Sequence, residues 1–371
     1  MAEAGRVVSA VTLSQPAPLP IQNDPGLDYL ESLRGALDLA ASAAGGFVEH
    51  DLEVAGVPLR LSCAGDAMPD VLLPPFEHLA TEARPPELRI GVFDTASTGV
   101  EPPPLPWPPL HATPGANPVA RFESDRVCVL AAAGTGALTA ADQAMGEAVF
   151  HLPDASRIPS SERAAPLREA LHLLMAPRRR WLTHAGAVGR DGRGALLIGR
   201  GGSGKSTLAL SCALAGMEIV ADDYVLLETR PPVAHAMQST AKLTEGSAVR
   251  LGLGREAIDP AGFEPTLEGP AKALVEIRTL VPGLIRRRLE IGALIAPVVT
   301  DLPEPALEPI SPAHGLRALA PSTILQTGSR SSPVLGALGE LVRAAPSFEL
   351  ALCPDPAANA TVVAELVDGL G

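Results

Sequence analysis

Lysine is almost absent: Lys205, Lys242 and Lys272 are the only three among twenty-nine basic residues, the rest being arginine. Positive charge is also in deficit overall. The net charge of −13 and an isoelectric point near 5.1 exclude general binding to nucleic acid or to an anionic membrane surface. No apolar run approaches the roughly 18 residues that a membrane-spanning helix needs. The four cysteines, Cys63, Cys128, Cys212 and Cys353, are scattered with no C-x-x-C pair, so metal and disulfide roles give way to buried free thiols in a reducing compartment. Met1 to Pro25 has no basic stretch followed by an apolar one and reads as a loose tail rather than a secretory signal. A soluble, cytoplasmic protein is the expectation.

The length of 371 residues suits two domains, read as 26–155 (α+β) and 160–371 (α/β, a P-loop domain) after the tail 1–25. Apolar spacing predicts a helix over Gly26–Ala44. Alternation predicts a hairpin around Ala55-Gly56, a short helical stretch over Asp70–Ala83 broken at Pro74-Pro75, and a strand over Glu87–Asp94. Glu101–Pro118 is too rich in proline for anything but extended loop, with Trp107 as a packing anchor. Phe122 and Val127–Leu130 flank a Ser124-Asp125 turn. A helix capped by Ser160 or Ser161 runs to about Met175, and Arg178–Arg180 then matches its negative end.

The informative stretch is Gly199-Arg-Gly-Gly-Ser-Gly-Lys-Ser-Thr207, between the apolar runs Ala195–Ile198 and Leu208–Ala215. It fits the G-x-x-x-x-G-K-[ST] pattern of a phosphate-binding loop, against the competing reading of an ordinary glycine-rich turn. Gly199, Gly201, Gly202, Ser203 and Gly204 would turn backbone N–H groups around phosphate oxygens at a helix N-terminus. Lys205 would neutralise the outer phosphates and Ser206 would ligate Mg²⁺, with Thr207 completing the nucleotide contacts. Arginine is the cation nearly everywhere else. Lysine stands in the loop, where a compact ammonium fits and a planar guanidinium does not.

Asp191-Gly192 marks a hairpin between strands Trp181–Val188 and Gly194–Ile198, and its register places His184 across from Gly199. A lone histidine is also commonly a satisfied core residue. Asp222 and Asp223 interrupt the apolar strand Met217–Leu227. Such a pair suits a Mg²⁺ ion shared with the loop serine, or else a polar turn. Gly216 ends the loop helix. Ser347–Leu352 reads as a last strand, and Asp355-Pro356 opens a last helix to about Val367.

Together, His184-Ala-Gly-Ala, the Gly199–Thr207 loop and Val220-Ala-Asp-Asp223 resemble the catalytic domain of HPr serine kinase/phosphorylase, itself related to ATP-dependent phosphoenolpyruvate carboxykinase. His235-Ala-Met-Gln-Ser-Thr-Ala-Lys-Leu243 and Leu319-Ala-Pro-Ser-Thr323 are similar to a bacterial subgroup of HPr-kinase-like serine kinases, often associated with peptide-modification gene clusters. The resemblance covers about 165–371. It implies ATP and Mg²⁺ as cofactors, Asp222 as base on the acceptor hydroxyl and Asp223 at the metal, while Lys242, one of only three lysines, suits a nucleotide or substrate contact or else a plain surface lysine. The acceptor would be a hydroxyl on a peptide, protein or small molecule, and assembly into a homo-oligomer is compatible with it. The family's arginine-glycine signature after the aspartates and its proline-glycine-arginine-asparagine loop are missing. Ala296-Pro-Val-Val stands at the place of the latter, and Met237 replaces the subgroup's tyrosine. The resemblance therefore does not extend to HPr as substrate or to the reverse reaction. A nucleotide-dependent sensing or peptide-binding module without phosphoryl transfer is the rival reading. A GTPase switch and an ABC-type ATPase are disfavoured, since neither N-K-x-D nor L-S-G-G-Q occurs.

Overall fold

Turn chemistry builds the first sheet. Ala55 and Gly56 both take positive φ (49° and 78°), the two-residue turn that matches strand twist, and join β1 (Phe47–Val54) to β2 (Val57–Ala64) with Val54 opposite Val57. β3 (Leu88–Asp94) lies parallel to β2. With β4 (Val119–Glu123), β5 (Val127–Ala131), β6 (Leu138–Asp142) and β7 (Glu147–Leu152) it completes a seven-stranded sheet in the order β1-β2-β3-β7-β6-β5-β4. The helix Pro25–Ala43 starts where Asp24 accepts a hydrogen bond from the Gly26 N–H at 2.9 Å, and packs Leu30, Leu33 and Leu37 on this sheet. Trp107 is a packing anchor as expected, with its ring centroid 5.4 Å from that of Tyr29 and 5.2 Å from that of Phe122.

The computed structural model describes residues 24–107, 119–132, 135–158, 160–266, 269–327 and 331–370. The tail read for Met1–Pro25 falls outside them except for its last two residues, which cap and open the first helix. Most of the proline-rich stretch, 108–118, also lies outside. The helical stretch expected over 70–83 starts earlier, as an α-helix Ala67–Leu72 followed by a 3-10 turn Pro74–Leu79.

The second sheet contains β8 (Trp181–Thr183), β9 (Gly186–Arg190), β10 (Arg193–Leu197), β11 (Glu218–Ala221), β12 (Val225–Thr229) and β13 (Pro232–Ala236). A separate antiparallel pair, β14 (Thr240–Thr244) and β15 (Lys272–Glu276), stands beside it. β16 (Arg288–Val299), β17 (Ala306–Ile310) and β18 (Ser347–Leu352) complete the sheet. The order is β11-β9-β10-β16-β13-β12-β8, with β18 parallel to the far half of β16 and β17 on its edge. Side chains alternate across β10. Leu197 packs with the loop helix Lys205–Leu214 and the last helix Pro356–Asp368. Leu196 faces the opposite way, into a core shared with Leu319 and Leu338 of the helices Pro312–Thr327 and Ser331–Ala344. That core continues through Leu171 and Leu174 to Ile90 and Phe150 of the first sheet. The class is α/β.

Four expectations change. The helix read over 160–175 is two pieces, Ser160–Arg163 and Arg168–Met175, because Pro166 removes a helical donor and Leu167 takes positive φ (57°); the Ser160 and Ser161 side chains lie outside the described ones. The strand read over Trp181–Val188 breaks at His184-Ala185, since β8 pairs with β12 on one flank and β9 with β10 and β11 on the other. The Asp191-Gly192 turn forms with Arg190 opposite Arg193, but pairing ends at Gly186 opposite Leu197, so His184 does not face Gly199. The strand read over Met217–Leu227 likewise breaks at Asp222–Tyr224 into β11 and β12. Both breaks adjoin each other: a Cβ on Gly186 would lie 3.0 Å from the Asp222 carbonyl.

Candidate active site

The loop after β10 is shaped by glycine where nothing else fits. Gly199 has φ 141° and a Cβ there would meet Ser203 Oγ at 2.8 Å. Gly204, at φ 99°, would drive a Cβ into Leu352 Cδ1 at 2.5 Å. Gly201, Gly202 and Arg200 are exposed, leaving the loop open outward. Lys205 opens the helix and is buried, its Nζ donating to the carbonyls of Gly199 (2.6 Å) and Arg200 (3.1 Å). Burial lowers its pKa, partly offset by the nearby Asp223 and Asp222. The helix ends with two closing bonds, Gly216 N–H to Ala213 and Met217 N–H to Cys212, both 3.0 Å.

The two strand breaks aim their polar residues at this loop. Asp222 is 1% exposed; its Oδ2 accepts from the Lys242 backbone N–H at 3.2 Å. The Ser206 hydroxyl faces Asp222 and favours its charged form, yet they form no close hydrogen bond, and Oδ1 is buried without a partner among the described residues. Burial, with Asp223 adding to it, pushes the Asp222 carboxyl up to about 6. Asp223 spends both oxygens: Oδ1 on His184 Nε2 at 2.8 Å and Oδ2 on Lys242 Nζ at 2.8 Å. Burial would raise its pKa, but these two partners hold it well below the usual carboxylate range. Burial lowers the His184 pKa, against the pull of Asp223. Lys242 is half-buried, and Asp223 keeps it above its ordinary value.

Thus His184, Lys205, Ser206, Asp222, Asp223 and Lys242 converge, although not in every pairing expected. Ser206 faces Asp222 rather than Asp223, and His184 reaches Asp223 rather than the loop. Lys242 is not a plain surface lysine. Thr207 Oγ1 donates to Ser247 Oγ at 2.9 Å, tying the loop helix to the short helix Glu245–Arg250 that follows β14. Arg178–Arg180 take no part: Arg178 donates to Leu174 O at 3.2 Å, as a helix-end match should, and Arg180 pairs with Glu228.

Tyr224 and Arg168 were not singled out beforehand, whereas Ser322 and Thr323 fall in the Leu319–Thr323 run quoted for the resemblance, without their partners. Tyr224 stacks on His184 with centroids 5.3 Å apart, and the buried Arg168 guanidinium lies 5.1 Å from the Tyr224 ring centre. Thr323 accepts the His184 backbone N–H at 3.2 Å, and Ser322 lies 3.4 Å from the Gly199 carbonyl. These depend on which segments meet in space, and spacing along the chain carries no signal for them.

The site fits a nucleotide and a divalent cation on three observations: the buried Asp222 oxygen facing a serine hydroxyl, the glycine cradle, and the lysine held against the loop. Among the described residues no three His, Cys, Asp or Glu side chains cluster to hold a metal on their own. Mg²⁺ commonly takes one or two protein ligands and completes its shell with phosphate oxygens and water. A cavity of about 110 Å³ beside the loop is lined by Gly204, Thr207, Leu208, Val299, Thr300 and Leu352.

No family model and no curated protein matches the chain. Among solved structures it is similar to the Hpr(Ser) kinase/phosphatase from Coxiella burnetii, with 15% identity, 50% of this chain and 94% of that chain covered, and a TM-score of 0.27. A likeness at that level leaves the chemistry to be read from the site. No helix among the described residues is long and apolar enough to cross a membrane.

Proposed function

We propose that the protein is an ATP- and Mg²⁺-dependent kinase that moves the γ-phosphoryl group to a hydroxyl on a peptide, protein or small molecule. The observation that carries this is the paired carboxylates beside a phosphate-loop lysine, with one carboxylate oxygen buried and unpartnered. The loop N–H groups and Lys205 bind the phosphates, and the cavity beside Thr207 receives the nucleoside. When bound, Mg²⁺ would neutralise phosphate charge between Ser206 and the aspartates. The acceptor oxygen attacks the γ-phosphorus, the bond to the β–γ bridging oxygen breaks, ADP leaves, and a site carboxylate takes the hydroxyl proton.

The resemblance gives the proton to Asp222 and the metal to Asp223. The unpartnered Asp222 oxygen favours the exchange: it is left open for a cation beside Ser206, whereas Asp223 is committed to His184 and Lys242. In either allocation both carboxylates belong to the site. The test is transfer from γ-labelled ATP, with Mg²⁺, to a panel of peptide and small-molecule hydroxyls. Wild type is expected to label an acceptor, and Asp222→Asn to lose at least about a hundredfold. Nucleotide affinity without transfer to any acceptor would instead support the sensing or peptide-binding module, and unchanged transfer by Asp222→Asn would remove that residue from the chemistry.

A further inference from the structure

Lysine scarcity makes the position of the third lysine informative. On the β14–β15 pair, Thr244 lies opposite Lys272 and Lys242 opposite Leu274. Directly opposed residues share a face, as do residues two apart on one strand, so Lys242, Thr244, Lys272 and Leu274 are on one side. The other side, Ala241, Leu243 and Val275, packs into the core under the loop helix. Lys272 is therefore placed diagonally from Lys242, on the same face as the lysine that holds Asp223. A second chain of contacts ties Lys272 to the phosphate loop: Thr207 bonds Ser247 at 2.9 Å, Ser247 is bonded to Thr244 at 3.0 Å, and Thr244 is the cross-strand partner of Lys272. Its backbone is fixed by reciprocal 2.9 Å bonds with Glu264.

The charges there do not balance within the protein. Lys242 is matched by Asp223, and Lys205 is satisfied by loop carbonyls. Among the described residues, the half-buried Lys272 ammonium has neither an ion pair nor a hydrogen bond. Its charge also reaches Lys205, where it works against that lysine's own protonation. Lys205 has Asp222 and Asp223 near it, whereas Lys272 has no such partner, and a polyanion lying between the two ammonium groups would be stabilised by both.

We propose that Lys272 is a second phosphate ligand, binding the outer phosphates of the nucleotide opposite Lys205, so that all three lysines of the chain serve one site. This rests on the kinase reading of that site and adds a contact from outside the loop motif. Calorimetric titration of the full chain with a non-hydrolysable ATP analogue, ADP and AMP, each with Mg²⁺, tests it. Lys272→Gln keeps the polar length and removes the charge. It is expected to weaken the ATP analogue about tenfold, AMP by less than about twofold, and to leave the circular dichroism unchanged. Lys272→Arg should recover part of the loss. Wild-type affinity for the analogue in Lys272→Gln would overturn the role of Lys272 alone, as would equal losses for the analogue and AMP. Should Lys272→Gln fold poorly, Lys272→Arg and Lys272→Met decide: a loss confined to the uncharged variant supports the contact, and equal affinities overturn it. A wild-type chain that binds none of the three nucleotides would overturn the kinase reading and this inference with it.

Discussion

Asp222 and Asp223 are neighbours in sequence with opposite electrostatic fates. Asp222 is buried and Asp223 half-buried, and withdrawal from water disfavours charge on each. Asp223 gains a cation and an imidazole within 2.8 Å and stays ionised, while Asp222 gains a serine hydroxyl, a backbone N–H and a like-charged neighbour. A cation between Ser206 and Asp222 would satisfy the buried Oδ1 and relieve the repulsion between the carboxylates. Mn²⁺ affinity in the presence of the ATP analogue, read by electron paramagnetic resonance, separates the two allocations. Asp222→Asn is expected to weaken Mn²⁺ by about tenfold or more, and Asp223→Asn by much less. The reverse ranking would return the metal to Asp223.

At the scale of elements, what is local was legible and what depends on neighbours was not. The turns at Ala55-Gly56 and Asp191-Gly192, the closing glycine at 216 and the strand Ser347–Leu352 are each specified by a few adjacent residues, and each forms where the sequence puts it. Asp355 is another such case. It accepts from the Ala357 N–H at 2.8 Å and starts the last helix, with Pro356 at its first position. Asp355→Ala should lower stability by about 1 kcal/mol in denaturant unfolding, with Asp355→Ser close to wild type. The breaks at His184 and Asp222 could not be read that way. Alternation continues through them, and only pairing with different strands, β12 and β8 on one flank and β9 and β11 on the other, ends each ladder. The aspartates were read as an interruption of one strand, and they stand where β11 ends before β12 begins. The histidine's pairing with Gly199 does not form, because a register counted from a turn assumes that the ladder persists. The site residues were thus found by motif and resemblance, while their actual partners came from topology.

Acid sensitivity also has sources away from the site. His151 is 3% exposed, with Thr95 Oγ1 at 2.9 Å from its Nε2 and the Phe93 ring beside it; burial lowers its pKa to about 4. His78 is lowered to about 4 as well, by burial and then by Arg287 and Arg278. Unfolded imidazoles bind protons near pH 6.5, so between about 6.5 and 4 the unfolded chain takes up protons that the native one refuses. Stability contributed by the neutral imidazoles is full above that window and is lost as pH falls through it. The thermal midpoint should therefore drop between pH 7 and pH 5, and drop less in His151→Asn. An equal drop in that variant would exclude His151 as a source.

Having only three lysines, with Lys272 proposed to join the other two on one site, has a practical side. Ordinary proteins present amines over their whole surface, so acylation, reductive methylation or coupling to an activated support falls on them at random. Here Lys205 is held against the loop carbonyls, Lys242 against Asp223, and Lys272, the one lysine whose ammonium has neither an ion pair nor a hydrogen bond among the described residues, shares a sheet face with Lys242. Amine-directed chemistry on this chain is thereby site-directed chemistry, and a bound nucleotide would be its natural protecting group.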